Sequence, residues 1–197
     1  MPFVFKRLAL VLSIAAAFAA DKEAPFKAAP AASYQHHQTN DAITVGVDPY
    51  VSGEKMKTAF GKVDPYQYGV LPVLVVIQND GKEAIRLDRL KVEYIGPGHE
   101  RVEATPPKDV RYARGPQRPN VTPGPGGRVA IKSKKNPLDA WEIEGRAFAA
   151  QMLPAGESAS GFFYFQTELQ PGATVYLSGM REAGSGKELF YFETPLQ

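Results

Sequence analysis

Apolar residues in this chain recur mainly at every second position, in short runs broken by glycine and proline, which is the signature of strands. Ile43, Val45 and Val47 share one face of a strand that the Asp48-Pro49 turn ends. Val73 to Ile77 is unbroken, so the strand that begins near Pro72 is predicted to be covered on both faces or to hold a central position. Between these two, Ser52 is placed to cap a short helix that Gly61 stops.

Beyond the turn Asn79-Asp80-Gly81-Lys82 the phase changes, from Ile85 and Leu87 to Leu90, Val92 and Tyr94. That pattern predicts a hairpin whose second strand carries a bulge or bend near Asp88-Arg89. Near the C-terminus "SGFFYFQTE", "ATVYLSGMRE" and "KELFYFETPL" read as strands, and the aromatic residues facing both ways in the last predict cover on both of its faces. One helical stretch interrupts them. Asn136 as N-cap, Pro137 at the first helical position, and Leu138, Trp141, Phe148 and Met152 at helical spacing predict about three turns, which Gly145 weakens by about 1 kcal/mol. Short strands without βαβ alternation give an all-β fold: an immunoglobulin-like antiparallel β-sandwich with one or two short helices and a long Pro/Gly-rich basic loop.

The ends of the chain add a compartment. Lys6 and Arg7, an apolar stretch from Leu8 to Ala17, and Ala17-Phe18-Ala19 have the layout of a secretory signal peptide over 1–19, too short before Asp21 and Lys22 for a spanning anchor. Residues 20–40 are poor in large apolar side chains and rich in Ala, Pro and Gln, and so read as a flexible linker, leaving 41–197 as the sandwich domain. A periplasmic or secreted protein with no membrane anchor after cleavage is expected. There is no cysteine, which excludes disulfides, thiol chemistry and a lipid-modified cysteine. Without Lys6 and Arg7 the 23 lysines and arginines become 21, equal to the 21 acids, so charge matters through its placement and not its total.

"VLVVIQNDGKEAIRLDRLKVEY", followed much later by "LPAGESASGFFYF", resembles secreted bacterial immunoglobulin-like domains of largely uncharacterised function. The matching residues are Asn79 and Gly81, then Pro154, Gly156, Glu157, Gly161, Phe162 and Phe165, within a resemblance that spans residues 70–196. It implies a fold and no chemistry. The chain departs from it by lacking the lipoprotein cysteine and by inserting the basic loop and the Trp141 helix.

Catalytic signatures are weak. "GESAS" at 156–160 lacks the last glycine of a nucleophile elbow and leads into a strand, and "GSGK" at 184–187 lacks the spacing of a phosphate loop. Glu142 and Glu144 point apart at i, i+2. No enzyme and no cofactor are expected. His36 and His37 are adjacent, and so point opposite ways on an extended chain, while His99 sits in a turn; a metal-handling carrier is therefore only a third reading. Tyr50, Tyr66 and Tyr68, around the repeated "VDPY", could form a stacking surface for a sugar or peptide, but packing at a sheet edge is the favoured reading.

The strongest functional signal is a run of charge. Between Arg101 and Lys135 nine basic residues face only Glu103 and Asp109, a local balance of plus seven. Loops this long are usually functional or disordered. Proline stiffens this one, and its arginines offer planar forks to carboxylate or phosphate. Arg111, Arg114, Arg118, Arg128, Lys132, Lys134 and Lys135 are the candidate partner-binding residues. The competing reading pins these arginines to the domain's own Glu142, Glu144, Glu182, Glu188 and Glu193. The expected function is a non-enzymatic binding module for an envelope protein or anionic polymer, and not for nucleic acid. The alternative is a structural subunit that self-associates through sheet edges and the 21–40 segment.

Overall fold

A computed structural model of the chain describes residues 26–111, 120–123, 129–132 and 136–197. The signal peptide and the first part of the expected linker lie outside these residues. From the N-terminus the strands are β1 (His36–Asn40), β2 (Ile43–Pro49), β3 (Leu71–Asn79), β4 (Ile85–Arg86), β5 (Lys91–Ile95), β6 (Arg101–Glu103), β7 (Asn120–Pro123) and β8 (Val129–Lys132). They continue as β9 (Met152–Leu153), β10 (Ser158–Phe165), β11 (Thr174–Ser178), β12 (Arg181–Glu182) and β13 (Phe192–Pro195), with helices α1 (Gly53–Phe60) and α2 (Trp141–Gly145). The fold is all-β, built of antiparallel sheets. A first sheet runs β1-β2-β3-β10, a second β13-β11-β5-β6, a small third β12-β4-β9, and β7 pairs with β8.

The two large sheets share one apolar layer. Val45, Val47, Val73, Val75 and Ile77 from the first meet Val92, Tyr94, Val175, Leu177 and Phe192 from the second. The alternate residues of the first sheet, Leu74, Val76, Phe162 and Tyr164, turn to its other face, where Met56, Ala59 and Phe60 of α1 and Ile143 of α2 cover them. The unbroken run in β3 is thus buried on both sides, as its pattern predicts. α1 also forms where expected: the Ser52 hydroxyl accepts from the Lys55 amide at 3.4 Å, and Gly61 ends it at a φ of 60°.

Five expectations need correction. Residues 26–40 are not a linker: β1 adds to the edge of β2 through a two-residue turn at Asp41 and Ala42, both at positive φ. A sheet edge supplies hydrogen bonds to a segment that has no core of its own. Gly46 lets the preceding chain approach as well, since a Cβ there would meet the carbonyl oxygen of Ala31.

The hairpin after Asn79 does not form. β3 pairs with β2 and β10, whereas β4 pairs with β9 and β12. The phase change is a strand leaving one sheet for another. Asn79, fully buried, makes the corner: its Nδ2 lies 2.8 Å from the Glu83 carbonyl and 3.1 Å from those of Leu153 and Pro154, and its Oδ1 accepts from the Gly81 amide at 3.0 Å. The two motifs that carry the sequence resemblance therefore meet in space, and the Gly156 amide closes the corner by donating to the Asn79 carbonyl at 2.7 Å.

The helix around Trp141 spans five residues only. Asn136 bonds the Leu138 amide in a tight turn at 3.2 Å instead of capping, and residues 146–148 are drawn onto β10 by Phe162 N–H to Arg146 O (2.9 Å) and Phe148 N–H to Phe162 O (3.1 Å). The long loop expected between Arg101 and Lys135 is not without structure: β6, β7 and β8 lie there. Phe190 and Tyr191 precede β13 and are exposed, and within β13 buried Phe192 and Thr194 alternate with exposed Glu193 and Pro195, so the last strand is not covered on both sides.

Candidate binding surfaces

The basic segment starts at a rigid stem. After β6 the chain crosses between the large sheets, with the Thr105 amide donating to the Tyr164 carbonyl at 2.7 Å. A single 3-10 turn, Pro107–Asp109, then delivers Val110 into the core beneath the first sheet. The Val110 carbonyl accepts from Asn136 Nδ2 at 2.9 Å and from Arg111 Nη1 at 3.1 Å. Both ends of the 111–136 segment are thereby held at one backbone oxygen, and buried Leu138 anchors the returning end. Within the segment β7 and β8 pair in register, Asn120 opposite Lys132 and Pro123 opposite Val129. A valine-rich hairpin around a Gly-rich turn could have been read in "NVTPGPGGRVAIK", but the density of proline and glycine masks its alternation.

Of the seven candidate residues, Arg111 is exposed and folds back on its own turn, its Nη1 also donating to the Lys108 carbonyl at 3.1 Å. Lys132 closes the β8 ladder. Arg114, Arg118, Arg128, Lys134 and Lys135 lie outside the described residues. α2 packs on the 107–109 turn beside the stem and presents Trp141, which is 69% exposed. Its indole lies over Gly145, where a Cβ would come within 3.1 Å of the ring.

A second surface escaped the sequence reading. On the outer face of the second sheet Tyr191 stacks on Tyr176 with ring centroids 5.2 Å apart, and the Arg101 guanidinium lies 5.2 Å from the Tyr176 ring centre. Arg101 also pairs with Glu93 at 3.0 Å, and the Thr174 hydroxyl donates to Glu193 at 3.2 Å. Between the sheets, on the side of β6 and β10, a cleft of about 300 Å³ is lined by Leu90, Val92, Thr105, Phe148 and Phe163.

The tyrosines of the "VDPY" repeat serve packing. Tyr50 is buried against Phe162 at 4.8 Å, and burial, helped by the Asp48 charge, raises its phenol pKa. Tyr66 and Tyr68 lean on the same cluster. Burial likewise raises Tyr164, whose hydroxyl donates to the Ile143 carbonyl at 2.8 Å. His36 and His37 lie on β1, where His37 Nδ1 is 2.7 Å from the Tyr34 carbonyl, and His99 occupies a turn at a φ of 63°. Among the described residues no group of three or more His, Asp or Glu is arranged to hold a metal. None of their helices is long and apolar enough to cross a membrane.

No family model matches the chain, and no curated protein matches it. Among solved structures it is similar to a Bordetella pertussis protein provisionally called ApaA, at 17% identity and a TM-score of 0.33, covering 79% of this chain and 88% of that one. It is also similar to a functionally unknown protein from Listeria monocytogenes, at 13% identity and a TM-score of 0.36, covering 81% and 79%. Neither likeness bears on what this chain does.

Proposed function

We propose that the chain is an exported, non-enzymatic binding module of immunoglobulin-like sandwich architecture that recognises an acidic envelope or extracellular partner through residues 101–135. The observation that carries this reading is the stem. A segment with seven more basic than acidic residues leaves and re-enters the domain at one clamped point, Val110 O to Asn136 Nδ2 at 2.9 Å. Fixing both ends lowers the entropy lost when the segment docks. Arginine forks then meet carboxylates or phosphates directly. Arg101 belongs to the segment by charge but is engaged with Glu93 and Tyr176, so the working cations are those beyond Val110.

The test is capture from the source organism's envelope extract at low and high salt, with wild type beside a variant in which Arg111, Arg114, Arg118 and Arg128 are alanine. A partner held by the wild type at low salt, released by salt and not held by the variant, is the expected outcome. Capture that ignores the four substitutions removes the segment from the function. For self-association, residues 36–40 already pair with β2 of their own chain, and Gln38 Oε1 accepts from the Glu193 amide at 2.9 Å, bridging β1 to β13.

A further inference from the structure

We propose that the outer face of the second sheet, independently of the basic residues beyond Val110, is a stacking surface for a neutral β-linked oligosaccharide. The face is built from the outward residues of four strands. Tyr176 lies opposite Glu193 on one side and Glu93 on the other, and Glu93 lies opposite Glu103. Tyr191 reaches Tyr176 from the β13 side, and Arg101 reaches it from β6, two strands away on the other side. The result is a row of guanidinium and two rings across the sheet, ending in an aromatic ring that is 54% exposed, beside Phe190 at 59%.

Exposure of this kind is unusual on a face that could have carried small polar residues, and it coincides with ordered polar groups. Glu93 is held by Arg101 and Glu193 by the Thr174 hydroxyl, so a carboxylate is fixed on each side of the Tyr176 ring. The ligand's chemistry follows from what these groups accept. A polyanion would meet Glu93, Glu103 and Glu193. A polycation would find Arg101 already stacked on Tyr176 and paired with Glu93, and Lys91 alongside. With three carboxylates against two cations the face is close to neutral and offers both acceptors and donors.

A pyranose chain with equatorial linkages meets both requirements. Its flat C–H face stacks on an open tyrosine ring, and its hydroxyls donate to fixed carboxylates and accept from a guanidinium. Ordering before the ligand arrives limits the entropy cost of binding. The sheet below, packed on the core through Val92, Tyr94, Val175 and Leu177, keeps the row in place.

The experiment is a chemical-shift titration of the full chain with cellohexaose, xylohexaose and chitohexaose. At least one should shift the amides of β11 and of residues 190–193. Tyr191→Ala should weaken that binding about tenfold, while Tyr191→Phe, which keeps the ring, holds it within about twofold. The four-arginine variant described above should bind as wild type, which separates this surface from the basic segment. The proposal is overturned if none of the three sugars shifts these amides, or if Tyr191→Ala binds undiminished. It is also overturned if sedimentation shows a dimer that Tyr191→Ala abolishes, because the rings would then be the seat of a second copy.

Discussion

The two large sheets each hold four antiparallel strands, yet one is buried on both faces and the other on one. In β3 every residue from Leu71 to Ile77 is buried, one set against the second sheet and the other under α1, α2 and the 26–34 segment. In β5 and β11 burial alternates, and the outward set is Lys91, Glu93 and Ile95, then Thr174, Tyr176 and Ser178. Unbroken apolar text marks a sheet with a layer on each side, and alternation marks one with a free face. Among the described residues the covering elements lie on the first sheet, which leaves the second with a face for contact.

The largest expected effect comes from emptying the covered side. Phe162 sits among Phe26, Tyr50 and Phe60 with ring centroids at 5.5, 4.8 and 4.7 Å, and Phe162→Ala should cost about 3–5 kcal/mol in urea unfolding. On the free face Tyr176→Ala loses only cross-strand and stacking contacts, and should cost about 1 kcal/mol or less. Equal losses would mean that the outer face of the second sheet is a structural layer too, and the contrast would fail.

A smaller effect probes how closely the covering strap lies on the first sheet. A Cβ at Gly161 would run into Phe148 Cα and fall 2.5 Å from its nitrogen, both backbone atoms that cannot rotate away. Gly161→Ala should therefore lift residues 146–148, cost about 2 kcal/mol, and speed hydrogen exchange at the Phe148 and Phe162 amides. Gly53→Ala is the control within the same layer: nothing lies within 4 Å, its φ is ordinary, and stability should hold or rise. Unchanged exchange in Gly161→Ala would show that the strap is not seated by this close approach.

Local patterns survive folding where burial and hydrogen bonding act within one element. β2, β3, α1 with Ser52 and Gly61, β10 and β11 all formed where their residues place them. What failed was pairing at a distance. "NDGK" looks like a hairpin turn, but Asn79 spends its side chain on Glu83, Leu153 and Pro154, and the last two are about 75 residues away. The helical spacing from Leu138 to Met152 lost to β10, whose edge took residues 146–148. Of the candidate sites, the basic segment was legible as charge alone. The Tyr176–Tyr191 stack was not, because Tyr176 lies in β11 and Tyr191 just before β13, and only the pairing of β11 with β13 brings them together.

The smallest effect concerns how the chain is held where it passes from the third sheet to the second. Asn79 holds the first corner with neutral, buried bonds, whereas at the next passage Asp88 accepts from Arg86 Nη2 at 3.0 Å and from Arg181 Nη2 at 3.3 Å near the surface. The Arg86 hydrogen bond, more than the charges of Arg86 and Arg181, holds the Asp88 carboxyl below its usual range. A carboxylate whose folded pKa is depressed stabilises fully above its unfolded value and loses that contribution as pH falls to its folded value. The melting temperature of wild type should therefore exceed that of Asp88→Asn by a small, constant amount above about pH 5, and the gap should close on acidification below about pH 4. Salt should narrow it at neutral pH, as screening requires of an exposed pair. A gap that persists unchanged at pH 2 would show that Asp88 acts through hydrogen bonds its neutral form also makes, and the ionic corner would then be no different in kind from the one at Asn79.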